Sequence, residues 1–63
     1  MAKHHNYHIG DRVEDRESHR PGTVVHLYTD RQIADELIAV RFDDNEVALC
    51  VHIDDMRRIG RRA

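Results

Sequence analysis

IAVRFDDNEVALCV, residues 38–51, sets two alternating apolar runs on either side of a polar turn, DDNE at 43–46. Successive side chains of a strand point to opposite faces, so Ile38, Val40 and Phe42 share one face while Leu37, Ala39 and Arg41 share the other. Beyond the turn, Val47, Leu49 and Val51 repeat the inward pattern, with Ala48, Cys50 and His52 outside. This is the signature of a β-hairpin with one buried face. Within the turn, Asn45 is the residue best suited to a left-handed backbone.

Working outward, Arg12-Val13-Glu14 reads as a short strand with Val13 inward, and Arg20-Pro21-Gly22 ends the polar loop that follows. TVVHLY at 23–28 is rich in β-branched and aromatic residues and predicts a second strand. Its facing has two readings, Val25/Leu27 inward or Val24/His26/Tyr28 inward, and a bulge can switch between them. Residues 29–37 read as a loop anchored by Ile33. The competing reading is a helical turn, with Thr29 and Gln32 as a capping box and Ile33, Leu37 and Ile38 at helical spacing. Ile53-Asp54-Asp55-Met56 predicts one helical or 3-10 turn with an acidic start, and Arg57-Arg58-Ile59 a last strand with Met56 and Ile59 inward. The expected fold is all-β, a small five-stranded barrel with a short helical or 3-10 turn before the last strand. Residues 9–60 form its single domain, residues 1–8 a disordered tail containing histidines, and residues 61–63 a basic C-terminal tail.

At 63 residues the chain holds one domain at most. A chain of that size buries only about 60% of the surface it exposes when unfolded. Small domains therefore need a staple or a partner. Cys50 is the only cysteine, which excludes an intrachain disulfide and a four-cysteine zinc site. A lone thiol and an N-terminus, MAKHHNYHIG, without an apolar core segment lead to the expectation of a soluble cytoplasmic protein. No apolar run approaches the ~20 residues of a membrane span. Charged residues make up 35% of the chain, against about 25% in ordinary domains. Ten Lys/Arg against twelve Asp/Glu leave a net charge of −2, whereas a nucleic-acid binder usually has a basic total.

The order of short motifs resembles the SH3-like small barrels: GDRV at 10–13, PGTVV at 21–25, RFDDN at 41–45 and IDDMRRI at 53–59. Gly10-Asp11-Arg12-Val13 followed by Pro21-Gly22-Thr23-Val24 looks like the glycine-anchored opening of a KOW element. That likeness implies RNA or protein contact through the adjoining loops. The matching loop here, residues 14–20, carries three acids and two arginines, while phosphate binding favours an excess of cations. A Tudor-like likeness implies an aromatic cage for methylated side chains, and Tyr7, Tyr28 and Phe42 are too few to build one. The opening and the Met56-Arg57-Arg58-Ile59 ending also look similar to the plasmid-borne type II dihydrofolate reductases, short chains that assemble as tetramers around one active pore. The family's Val-Gln-Ile-Tyr stretch falls on Ala48-Leu49-Cys50-Val51, which has none of the polar or aromatic groups that grip cofactor and folate. The activity is therefore not carried over.

No catalytic, cofactor-binding or metal-binding set emerges. His4, His5 and His8 lie close together but lack a carboxylate or cysteine at fixed spacing, and they read as a solvated polar tail. Cys50 and His52 share a strand face without a third orienting group. The paired acids Asp43/Asp44 and Asp54/Asp55 suit capping and solubility. The candidate contact residues are Arg20, Arg57, Arg58, Arg61 and Arg62, since arginine forms bidentate contacts to phosphate and carboxylate. The expectation is a small non-enzymatic binding or assembly module that works by protein–protein contact. Self-association through a strand edge and an outer face of Leu37, Ala39, Ala48 and Cys50 is included in that reading. The alternative is a KOW-like nucleic-acid-binding module using the C-terminal arginines. No small-molecule substrate or cofactor is implied.

Overall fold

The computed structural model describes residues 7–28 and 37–60. Within them run β1 (Arg12–Asp15), β2 (Pro21–Leu27), β3 (Leu37–Phe42), β4 (Leu49–His52), a 3-10 turn (Ile53–Asp55) and β5 (Met56–Gly60). All neighbours pair antiparallel in one five-stranded sheet of order β4-β3-β2-β1-β5. The loop expected over residues 29–37 lies outside the described residues except for Leu37, which opens β3.

The sheet curls because the chain leaves it no alternative. β4 and β5 occupy opposite edges, yet only Ile53–Asp55 joins them. Four chain steps reach at most about 14 Å, whereas the edges of a flat five-stranded sheet stand about 19 Å apart. Curling brings one face inward around Val13, Val24, Ile38, Val40, Phe42 and Met56, all buried, with Tyr7, Leu27, Val51 and Ile53 packed against them. Gly22 sits where no side chain fits: a Cβ there would lie 2.7 Å from Val40 Cγ1 and 2.9 Å from the Arg41 carbonyl oxygen.

The two-way facing of β2 resolves into a bulge. Val24 pairs with Val40 and Leu27 with Ile38, while the register slips at Val25 and turns His26 to the outer face beside Ala39. Both Val24 and Leu27 thereby reach the core.

Several expectations change. The five strands are present, but the sheet is open and the barrel is not closed: among the described residues no ladder joins β4 to β5. The 3-10 turn carries the chain across the gap at one end, and the four-residue β4 offers little length along which to zip the rest. Val47 is 63% exposed because the turn runs past Glu46: Asn45 Oδ1 accepts the Val47 N–H at 3.1 Å and holds that residue in a bend. Leu49 does face inward opposite Val40, yet at the sheet edge it stays 40% exposed. Met56 is fully buried as expected, but Ile59 sits at a register slip between β1 and β5 and is 46% exposed. The left-handed non-glycine residue among those described is His19 (φ 63), not Asn45. Tyr7 and His8, read from sequence as tail, join the fold: Tyr7 Oη donates to the Met56 carbonyl at 3.4 Å, and His8 N–H donates to Asp11 Oδ2 at 2.9 Å.

Candidate functional site

The surface chemistry of the described residues divides into an arginine–carboxylate lattice and the β4 edge of the sheet. In the lattice, Arg12 grips Asp43 with both guanidinium nitrogens, at 2.8 and 2.6 Å, and also donates to Thr23 Oγ1 at 2.8 Å. This bidentate hydrogen bonding raises the Arg12 pKa and lowers that of Asp43. Arg20 reaches Asp44 at 2.8 Å while its guanidinium stacks 4.3 Å above the Phe42 ring. Hydrogen bonding to Arg20 likewise lowers the Asp44 pKa and raises that of Arg20. Arg57 Nε lies 3.8 Å from Glu14 Oε1, whose other oxygen meets His19 Nδ1 at 2.8 Å. Arg58 Nε lies 3.4 Å from the buried Asp11 carboxylate, and its Cζ lies 5.5 Å from the centre of the Tyr7 ring.

Of the five arginines singled out in the sequence, Arg20, Arg57 and Arg58 are thus placed on three different acids, Asp44, Glu14 and Asp11. Arg20 ties the β1–β2 loop to the β3–β4 turn, while Arg57 and Arg58 tie β5 to β1 and the residue before it. Arg61 and Arg62 lie outside the described residues. The acids were visible in the sequence. Their pairing was not, because it depends on which strands are neighbours.

A cleft of about 400 Å3 lies between the β1–β2 loop and the 3-10 turn, lined by Asp15, Arg16, Glu17, Asp54 and Asp55. Its walls are tied by Arg16, whose backbone N–H donates to the Asp55 carbonyl at 2.9 Å and whose side-chain Nε donates to the Met56 carbonyl at 3.1 Å. Asp15 is itself a turn-former. The Ser18 and Glu17 N–H groups donate to its Oδ1, and these bonds lower its pKa. The 3-10 turn is capped by His52, whose Nδ1 accepts the Asp54 N–H at 3.1 Å. Among the described residues no three His, Cys, Asp or Glu side chains group to hold a metal ion. Nor is any helix among them long and apolar enough to cross a membrane.

The sheet edges are unlike each other. β5 carries Arg57 and Arg58, both exposed, which is how natural edge strands repel unwanted strands. β4 has no such guard. From Val47, two residues before β4, to Val51 the chain carries no charge, and Val47, Ala48, Leu49 and Cys50 are all exposed. Leu49 and Val51 belong to the concave face, opposite Val40 and Ile38; Cys50 and His52 belong to the outer face, opposite Ala39 and Leu37. The apolar outer face expected from sequence is narrower than Leu37, Ala39, Ala48 and Cys50 together. Ala39, lying between His26 and Cys50, is buried and Leu37 is half-buried. What the sequence reading missed is the exposure of Val47 and Leu49. Its signal was the brevity of the run after an acidic turn.

The molecule is a small all-β domain built on one antiparallel sheet in which, among the described residues, β4 and β5 are the edge strands. No protein-family model matches the chain, and neither a curated protein nor a solved structure matches it.

Proposed function

We propose that this chain is an SH3-like, non-enzymatic binding or assembly module that captures a protein segment by adding a strand to β4. The observation that carries the reading is the unguarded β4 edge, with Val47 63% and Leu49 40% exposed beside a row of backbone groups turned away from β3. Strand addition draws affinity from main-chain hydrogen bonds and specificity from alternate side chains. Leu49 and Val51 offer an apolar rim on one face, and Cys50 and His52 offer the other. The strand order and the three-residue link across the sheet support the SH3-like assignment. An exposed thiol at Cys50 suits a reducing compartment such as the cytoplasm.

Protein contact is preferred over nucleic acid because of where the arginines stand. Arg12, Arg20, Arg57 and Arg58 each stand beside a carboxylate, which offsets the positive charge that a phosphate would seek. The test is an NMR titration of the folded chain with short extended apolar peptides. Amide shifts confined to residues 47–52 are expected. Shifts centred on the arginine–carboxylate lattice, or a steeply salt-dependent affinity for mixed RNA or DNA, would overturn the reading.

A further inference from the structure

Resting on that reading of the β4 edge, we infer that its occupant is a second copy of this chain, paired antiparallel through a two-fold axis at Leu49. An interface with two-fold symmetry must be self-complementary, and the sequence around Leu49 meets that condition residue by residue. Residues 46–52 read Glu-Val-Ala-Leu-Cys-Val-His. With Leu49 opposite Leu49 of the second copy, Ala48 meets Cys50, Val47 meets Val51 and Glu46 meets His52. Small faces small, branched faces branched, and a carboxylate faces an imidazole.

Two-fold pairing with the faces kept continuous allows only registers centred on one residue of the edge, and side-chain matching together with charge separates them. Centring on Ala48 sets Glu46 against Cys50 and Asn45 against Val51, polar groups against apolar ones. Centring the axis on Cys50 instead brings Glu46 towards Asp54 of the second copy, two carboxylates together, and pairs Val47 with Ile53, which already packs on its own core. Centring on Leu49 removes that repulsion and places Val47 and Leu49, the most exposed apolar residues of this edge, beside apolar partners on the concave side. Glu46 and Val47 form a bend in the single chain, so this pairing requires them to straighten and Val47 N–H to leave Asn45 Oδ1 for the second copy. Ten strands in one continuous sheet would then leave two β5 edges outermost, each bearing Arg57 and Arg58. Those edges are guarded, so the assembly stops at two copies. A chain of 63 residues, with a thin core of its own, gains the burial it lacks.

Light scattering at micromolar and millimolar concentration tests the dimer. The mass is expected to rise towards twice that of the chain, and Leu49→Lys and Val47→Lys are expected to remain monomeric with unchanged circular dichroism. Oxidation with diamide tests the register. Leu49→Cys in a Cys50→Ser background is expected to form a covalent dimer rapidly. The natural Cys50 is expected to do so slowly, because at this register it lies diagonally from its counterpart, about 7–8 Å away and beyond easy disulfide reach. Faster cross-linking through Cys50, or a dimer that survives Leu49→Lys, overturns the inference. A strict monomer whose β4 amides still shift with extended peptides overturns the inference and leaves the strand-addition reading standing; a monomer with no such shifts sinks both.

Discussion

Replacing Gly22 with alanine adds one methyl group to the tightest point between β2 and β3. That methyl would sit 2.7 Å from Val40 Cγ1, 2.9 Å from the Arg41 carbonyl oxygen and 3.1 Å from Phe42 Cα. Two of these neighbours are backbone and the third is a fully buried valine, so neither a rotamer change nor an outward swing relieves the clash. Overpacking of this kind costs about 1–3 kcal/mol. The whole chain of 63 residues has about 3–9 kcal/mol of stability at ordinary values per residue. Gly22→Ala should therefore lower the melting temperature by about 4 °C or more. Gly60 supplies the internal control. A Cβ there meets only the Arg12 side chain, at 3.4 and 3.7 Å, which is ordinary contact. Gly60→Ala should be neutral or stabilise by about 0.4–1 kcal/mol through the unfolded chain. Thermal melts and urea titrations followed by circular dichroism compare the two variants directly. If Gly22→Ala were as stable as Gly60→Ala, the β2–β3 packing described above would be incorrect.

Met56→Ala empties the fully buried start of β5 and should cost about 2–5 kcal/mol, read as a lower urea midpoint with an unchanged slope. Asp11→Asn removes the buried carboxylate beside Arg58 while keeping an acceptor for the His8 N–H; a loss of about 1–3 kcal/mol is expected in the same titration, larger than for Asp54→Asn on the exposed 3-10 turn. Asp15, Asp43 and Asp44 all have folded pKa values lowered by hydrogen bonds, so their contribution is complete above the unfolded carboxylate value of about 3.9 and disappears as pH falls through the lower folded values. Urea midpoints measured from pH 7 downward should hold level and then drop below about pH 4, and the drop should shrink in Asp43→Asn/Asp44→Asn.

Strand identity was legible because alternation is a local property. Ile38, Val40 and Phe42 needed no knowledge of the rest of the chain to be placed on one face, and all three are buried. The bulge in β2 was visible as two conflicting facings, Val24 against Val25, since a chain that must bury both Val24 and Leu27 has to slip by one residue between them. Closure of the sheet was not legible, because whether β4 meets β5 depends on curl and strand length and not on any single residue. Val47 misled for a related reason: its spacing fits a strand, but the Asn45 side chain captures its N–H and keeps it in the turn. The arginines were recognised as the chemically active groups of the surface, yet their partners Asp44, Glu14 and Asp11 come from other elements. The edge at Leu49 became visible only once the order β4-β3-β2-β1-β5 was known.

That strand order is the premise on which β4 becomes a docking edge, and inter-strand nuclear Overhauser contacts in the isotope-labelled chain test it most directly. Contacts linking Val13 with Arg58, Val24 with Val40 and Ala39 with Cys50 are expected, as the registers of β1–β5, β2–β3 and β3–β4 require. A regular ladder of contacts between β4 and β5 within one chain would contradict the account, because β4 would then have no edge to offer.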